Sequence, residues 1–467
     1  MRFLPSHHPH YTVALLTMAA ALPTLVACGG PTGTAVVGDG SGNDGSVATS
    51  SSGGNGASSG SGSSGGGSSS GGTASSSGGG SSGGGSGGGS SGGSGGGSSS
   101  GSVNPEGGTD AGPVCASPVA GVTTDWGKVF ADGVIAQGFG TFGGASYPVG
   151  LFMHGLSKVY KRTKDPAYLT FMTNWANGNS AVPGGSNVDD IMHMAAVADV
   201  YELTSNSALV SPLTATRKIF DTYPKTTDGA FIHNTGDVGQ NWGDTSFMSL
   251  SFLTRYGQVL NDTSTYGIGT TQIGLFSKHL TNPATGLLFH AYDETRAAGW
   301  VVPGTNHSAE SWGRAMGWFV MATVMVLEAI PANDPGRPAT EKILADLIGK
   351  LAPYQDAATG RWWQVVDKGT TAGNWLETSC TAMYSYGTWW AVTHGLVDPS
   401  LCAVATKGFN GVLAELSSDP TKLITGVCEG TGVGNYAYYT GRNHTQYDDF
   451  HGLGSFLLMW EGMRAGE

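Results

Sequence analysis

The chain has 467 residues and a formal net charge of −12, and only 12% of it is charged. Nearly half of its 78 glycines lie before residue 113, while the rest of the chain carries all 12 tryptophans and enough length to bury a large core. An acidic chain without a Lys/Arg surface is not built to neutralise phosphates, which excludes nucleic acid as a partner, and after residue 27 no apolar run approaches the ~20 residues that span a bilayer.

From the start of the chain, Met1 to Cys28 opens with Arg2, runs through an apolar stretch from Thr12 to Leu22 and ends in Leu25-Val26-Ala27-Cys28-Gly29. An apolar core closed by small residues is a secretory signal. The Leu-Val-Ala-Cys ending resembles a bacterial lipobox, which implies cleavage before Cys28, lipidation of its thiol and a membrane contact through that anchor only. Residues 29–114 are almost entirely Gly and Ser, with no side chains to offset the entropy of ordering, so they are expected to form a disordered tether. At about 80 residues its root-mean-square span is roughly 50 Å. Residues 115–467 remain as the catalytic domain. Cys115, Cys380, Cys402 and Cys428 permit two disulfides in an oxidising compartment, with three possible pairings, and no Cys/His spacing fits a zinc site.

Beyond residue 120 apolar residues recur at three- and four-residue spacing between Gly, Pro, Asn and Asp punctuation. Helices are predicted over 124–137, 148–163, 166–178, 188–204, 209–223, 243–260, 266–281, 309–330, 338–354, 376–396, 401–417 and 450–464. Six of them (148–163, 188–204, 243–260, 309–330, 376–396 and 450–464) are apolar around most of their circumference, as buried helices are. The others carry the Lys, Asp and Glu positions. Six buried helices alternating with six half-exposed ones predict an all-α (α/α)6 barrel; the lack of a constant repeat length counts against a solenoid. If the inner helices run the same way, their N-termini meet at one mouth. Gathered there would be Asn187-Val188-Asp189-Asp190, Trp242-Gly243-Asp244-Thr245, His307 to Trp312 and Asn374-Trp375-Leu376-Glu377. Aromatic rings beside carboxylates and histidines line sugar sites, and helix N-termini favour an anionic ligand.

Several segments carry a resemblance: Gly286 to Asp293, Ser311-Trp312-Gly313-Arg314-Ala315-Met316-Gly317-Trp318, Gln364 to Gly369, Leu376 to Ser379, Gly434 to Tyr439, and Asp448-Asp449-Phe450-His451-Gly452. In this order they resemble the unsaturated glycuronyl hydrolases, specifically the unsaturated rhamnogalacturonyl hydrolases of glycoside hydrolase family 105. The resemblance implies an (α/α)6 barrel and a reaction on oligosaccharides left by polysaccharide lyases, whose terminal uronic acid bears a C4=C5 double bond. An acid protonates C4, water adds at C5, and the hemiketal opens and expels the remaining sugar. No cofactor or metal is implied. Asp244 matches the general acid/base. The helix N-terminus favours its anion, and burial beside Trp242 and Phe247 with a neighbouring carboxylate is expected to prevail and raise its pKa. Asp189 matches a second aspartate that holds substrate and keeps the first protonated, with Asp190 as the competing register. His233 and His290 match histidines that contact the unsaturated ring, and Arg314 a substrate-contacting arginine. Trp312 and Trp318 are stacking candidates; Lys368, His451 and Tyr147 are candidates for the far walls. Without the resemblance, Asp244 and Asp189 read equally as helix N-caps, and Arg314 as the internal partner of an acidic residue. Two rival functions fit the same residues: a conventional inverting glycosidase using Asp189 or Asp190 with Asp244, and a noncatalytic glycan-binding surface lipoprotein.

Overall fold

A computed structural model describes residues 115–138 and 144–464. The expected signal, the lipidation at Cys28 and the Gly/Ser tether fall outside the described residues. All twelve predicted helices are present: α1 (Trp126–Ala136), α2 (Tyr147–Thr163), α3 (Pro166–Asn179), α4 (Asp189–Thr204), α5 (Val210–Thr222), α6 (Gly243–Leu260), α7 (Ser264–Leu280), α8 (Gly313–Ala329), α9 (Arg337–Leu351), α10 (Thr378–Thr393), α11 (Leu401–Leu413) and α13 (Phe450–Gly462). A five-residue helix α12 (Tyr436–Thr440) was not predicted. Local chemistry sets many of the ends. Asp125, Asp165, Asn435 and Asp449 accept backbone N–H groups as N-caps, while Lys164, Ser205 and Asn261 close helices in the left-handed region.

Helices α2, α4, α6, α8, α10 and α13 each touch the next, and α13 returns to α2, closing a ring; α1, α3, α5, α7, α9 and α11 lie outside it. The inner helices are buried on nearly all sides, α8 from Gly313 through Leu327 without a break. The ring is tight enough to need glycine at some crossings. A Cβ on Gly454 of α13 would lie 2.8 Å from the Phe152 backbone nitrogen of α2, and one on Gly150 would lie 2.5 Å from the His193 Cα of α4. This is the (α/α)6 barrel predicted from the alternation of buried and half-exposed helices.

The barrel differs at its two ends. At the C-terminal end of the inner helices, buried Asp199 takes His154 Nδ1 at 2.5 Å and Arg255 Nε at 2.7 Å, and these partners outweigh burial, so its carboxyl is held far below the usual range. At the N-terminal end the connections form two short ladders. Strand β1 (Gln240–Trp242) pairs antiparallel with β2 (Ala291–Asp293), and β3 (Trp362–Trp363) with β4 (Leu376–Glu377). These ladders move two predicted boundaries. Trp312 is held in a bridge to Val365, so α8 starts at Gly313, and strand β4 occupies the residues predicted to open α10.

Among the described residues there is one disulfide, Cys115–Cys402, with a sequence separation of 287; Cys380 and Cys428 are buried thiols, so the second permitted bridge is not formed. The bridge ties the first described residue to α11 and constrains almost the whole domain in the unfolded state. Cys402→Ser is expected to lower unfolding free energy by about 2–5 kcal/mol, measured as a drop in the denaturant midpoint. Reductant should then destabilise the wild type and leave the variant unchanged.

Candidate active site

The register of the first ladder builds the centre of the mouth. Trp242 pairs with Ala291, and beyond that pair the Gly243 N–H donates to the His290 carbonyl at 2.8 Å. The next residues on either side are therefore Asp244, in the first turn of α6, and His290. Asp244 Oδ2 lies 2.9 Å from His290 Nε2, and His290 Nδ1 lies 2.7 Å from the Tyr439 hydroxyl, which accepts the Gly434 N–H at 3.1 Å. Burial pushes the Tyr439 phenol well above its usual range, so it keeps its proton. The Tyr439 hydroxyl, which accepts from Gly434, faces Nδ1, and the Nε2–H of His290 is directed at the Asp244 carboxylate.

Asp244 is 8% exposed and caps nothing: the N-cap is Trp242, whose N–H is taken by the Thr245 hydroxyl at 3.2 Å. Its pKa departs from expectation. Burial is the largest influence and raises it, but His290, His233 and Arg314 together outweigh burial and hold the carboxyl below its ordinary value. Sequence reasoning weighed burial and a neighbouring carboxylate; the opposing charge of His290 is set by strand register and was not legible.

His233 stacks flat on Trp242, with centroids 4.1 Å apart and planes 6° from parallel, and its Nε2 lies 3.6 Å from Asp189 Oδ2. Burial works against its cationic form, yet Asp189, then Asp244 and Asp237, raise its pKa above the ordinary imidazole value. Asp189 is not a cap either: Asn187 Oδ1 accepts the Asp189 N–H at 2.9 Å, while Asp189 faces His233 and Asp190 is exposed. Of the two aspartates, Asp189 is the one beside His233.

On the other wall, half-buried Tyr147 opens α2. Its hydroxyl lies 2.8 Å from His451 Nε2, and His451 Nδ1 lies 2.6 Å from Asp449 Oδ1. Trp318 closes the floor at 1% exposure, stacked on Phe247 with centroids 5.0 Å apart and meeting the edges of Tyr147 and His451. Trp312 stands behind His290, 4.5 Å between centroids, with its Nε1–H donated to Gln364 at 3.1 Å. Both tryptophans are 1% exposed and shape the site from within the core instead of offering a free stacking face.

Arg314 is also placed differently from the expectation. At 1% exposure its guanidinium donates to the carbonyls of Cys428 and Glu429, lies 3.9 Å from Glu377 Oε1 and stacks 4.9 Å from the Trp312 ring centroid. It holds the 428–434 segment and acts on the mouth through its charge. Lys368 lies 3.7 Å from Glu310 and 3.8 Å from Asp367, on a turn beside the mouth. Burial raises the pKa of Glu310, whose Oε2 has no hydrogen-bond partner. Tyr439, Asp449 and Glu310 were missed. Glu310 lay within the His307–Trp312 segment expected at the mouth, and Tyr439 and Asp449 within the segments carrying the resemblance, but none was singled out. Among the described residues no group of three or more His, Cys, Asp or Glu is arranged to hold a metal ion, and no helix is long and apolar enough to cross a membrane.

Comparison with known proteins gives this geometry a family. The profile of Glycosyl Hydrolase Family 88 matches residues 123–464. The 24.9 kDa protein in the picA locus of Rhizobium radiobacter is 31% identical over 231 residues, 97% of its length and 46% of this chain. The unsaturated rhamnogalacturonyl hydrolase YesR of Bacillus subtilis (strain 168) is 24% identical over 246 residues, 67% of its length and 50% of this chain. A family 105 glycoside hydrolase from C. acetobutylicum ATCC 824 superposes with a TM-score of 0.68 at 29% identity, covering 73% of this chain and 99% of its own. With the profile matching nearly the whole described barrel, the chain belongs to Glycosyl Hydrolase Family 88 and is a glycoside hydrolase.

Proposed function

We propose that this hydrolase removes a terminal 4,5-unsaturated uronic acid from lyase-generated oligosaccharides, with unsaturated galacturonyl-rhamnose as the leading substrate, and that it does so by hydrating the double bond. The observation that carries this reading is the buried Asp244 carboxyl paired with His290 and surrounded by His233, Arg314 and the N-termini of inner helices. That field suits a sugar carrying its own carboxylate, and the pair supplies a proton at its centre. The relationship to YesR supports the choice of aglycone. An exported, lipid-anchored location belongs to the same proposal and rests on the N-terminal sequence.

In the free site Asp244 is ionised at neutral pH. The substrate carboxylate, placed among His233 and the helix ends, brings a negative charge that raises the Asp244 pKa and loads it with a proton. Asp244 gives this proton to C4, the C5 cation stabilised by the ring oxygen takes a water oxygen, and the resulting hemiketal opens to release the aglycone with its oxygen. Asp189, paired with His233, fixes the imidazole that faces the sugar. Asp189→Asn is expected to raise KM more than it lowers kcat.

With a lyase-generated unsaturated rhamnogalacturonan disaccharide and the whole chain, loss of the ultraviolet absorbance of the conjugated double bond reports the reaction. Asp244→Asn should lower kcat by about 10²–10⁴-fold. Cleavage of saturated glycosides with the absorbance unchanged would instead favour the inverting glycosidase, and binding without turnover of either substrate the glycan-binding reading. Because a lowered Asp244 pKa makes the protonated form scarcer as pH rises, kcat/KM should be highest on the acidic side of neutrality. His290→Gln removes the charge that lowers it, so the descending limb of the kcat/KM profile should move to higher pH.

A further inference from the structure

A cavity of about 480 Å³ opens between the starts of α2 and α13, within the ~300–1,000 Å³ of small-molecule sites. His451 borders it, with Nε2 2.8 Å from the Tyr147 hydroxyl, and so do Ser146 and Pro148 on either side of Tyr147. The cavity therefore begins where this wall of the mouth ends. Helices α6 and α13 are three places apart in the six-membered inner ring, so the wall stands opposite the one that carries Asp244. Trp318 spans the floor between them, its ring 5.0 Å from Phe247 of α6 and 6.4 Å from both Tyr147 and His451. The lining suits an uncharged sugar ring. Asp448 and Asp449 border the cavity, but their oxygens are engaged. Asp448 Oδ1 accepts the N–H groups of Leu423 at 2.6 Å and Ile424 at 3.2 Å. Asp449 Oδ1 accepts the His451 N–H at 2.9 Å, and its Oδ2 accepts from Gln446 at 2.8 Å. Both carboxyls can still accept sugar hydroxyls and disfavour another carboxylate, and Ser146 adds a hydroxyl that does not cap α2. The chemistry changes at the outer lip. Tyr447 is 50% exposed there, and exposed Lys422 places Nζ 5.6 Å from its ring centre and forms no ion pair among the described residues. A ring face beside a free ammonium suits a sugar that carries a carboxylate.

The substrate's own geometry decides which part of it reaches this cavity. C1 and C4 are opposite corners of a six-membered sugar ring. With C4 at Asp244, C1 and the glycosidic oxygen face the α2–α13 wall, and Trp318 closes the way down. We infer that the cavity between α2 and α13 holds the sugars that follow the unsaturated ring, a neutral one inside it and an acidic one at the Tyr447–Lys422 lip, so that the enzyme favours oligosaccharides longer than a disaccharide. This rests on the hydration reading above, which sets C4 at Asp244. An alternating chain of acidic and neutral sugars presents the two kinds of ring in the order in which the lining changes. The sugars held here do not react. They contribute binding energy remote from the double bond, which is read in kcat/KM.

The test compares a lyase-generated unsaturated rhamnogalacturonan tetrasaccharide with the disaccharide, both followed by absorbance loss with the whole chain. Wild type is expected to show a kcat/KM about tenfold higher for the tetrasaccharide. Tyr447→Ala should bring that ratio to within about twofold of unity. Lys422→Ala should lower it about threefold, and raised salt should do the same to wild type while leaving Lys422→Ala unmoved. Both side chains are exposed, melting temperatures check the folds, and a ratio taken within one variant cancels any loss of folded enzyme. Equal kcat/KM for the two substrates in wild type would overturn the subsite and leave the hydration reading standing. A tetrasaccharide preference that survives both substitutions would also overturn it, since the following sugars would then leave over another part of the rim. If wild type consumed neither substrate, the hydration reading would fall and the subsite with it.

Discussion

Six inner helices that open at one mouth direct their unpaired amides and positive dipole ends to the same place, and that accumulated field must be matched by negative charge. Much of the mouth follows from this constraint. Asp189 and Asp244 lie in the first turns of α4 and α6, and Glu377 and Asp449 cap α10 and α13. Helix α2 has no acid in its first turn, and α8 is the exception in sign, because it begins with Gly313-Arg314, a cation where the dipole disfavours one. The exception explains how Arg314 is held. Its guanidinium is surrounded by the carbonyls of Cys428 and Glu429 and by Glu377, whose carboxylate also takes the N–H groups of Cys380 and Cys428. One buried arginine thereby holds Cys428 and Glu429, at the head of the loop whose Gly434 N–H donates to Tyr439, the partner of His290 Nδ1.

The barrel was readable because its signal is local. A helix such as 309–330 that is apolar all round can only be internal, and six such helices alternating with six amphipathic ones leave few ways to bury them. Asp244 and Asp189 stood out at the starts of predicted inner helices, and His233 only through the resemblance. What was not readable depends on pairs far apart in the chain. His290 and Tyr439 are separated by 149 residues and meet only because two loops converge. The direction of the Asp244 pKa shift turned on its meeting with His290, 46 residues away. The Cys115–Cys402 bridge is likewise a fact of closure, since it joins the start of the domain to its last outer helix. Arg314 shows a different limit. The same Trp-Gly-Arg sequence serves a substrate clamp or an internal brace, and only the position of the 428–429 carbonyls decides between them.

An ionised Asp244 in the free site looks at first like a poor general acid, yet it follows from asking one carboxyl to coexist with an anionic substrate. A carboxyl already neutral would contribute nothing to keeping His290 and His233 in place, and on the proposed chemistry those same side chains hold the sugar's carboxylate. On the proposed chemistry, substrate and proton bind with positive coupling, and the coupling is reciprocal: the sugar's negative charge raises the affinity for the proton as much as the proton raises the affinity for the sugar. The acid is then armed only when an anionic ring is present, and a neutral sugar of similar shape would enter without loading it. Selectivity for a uronate therefore does not require a dedicated arginine in contact with the carboxylate, and Arg314 is free to remain inside the wall.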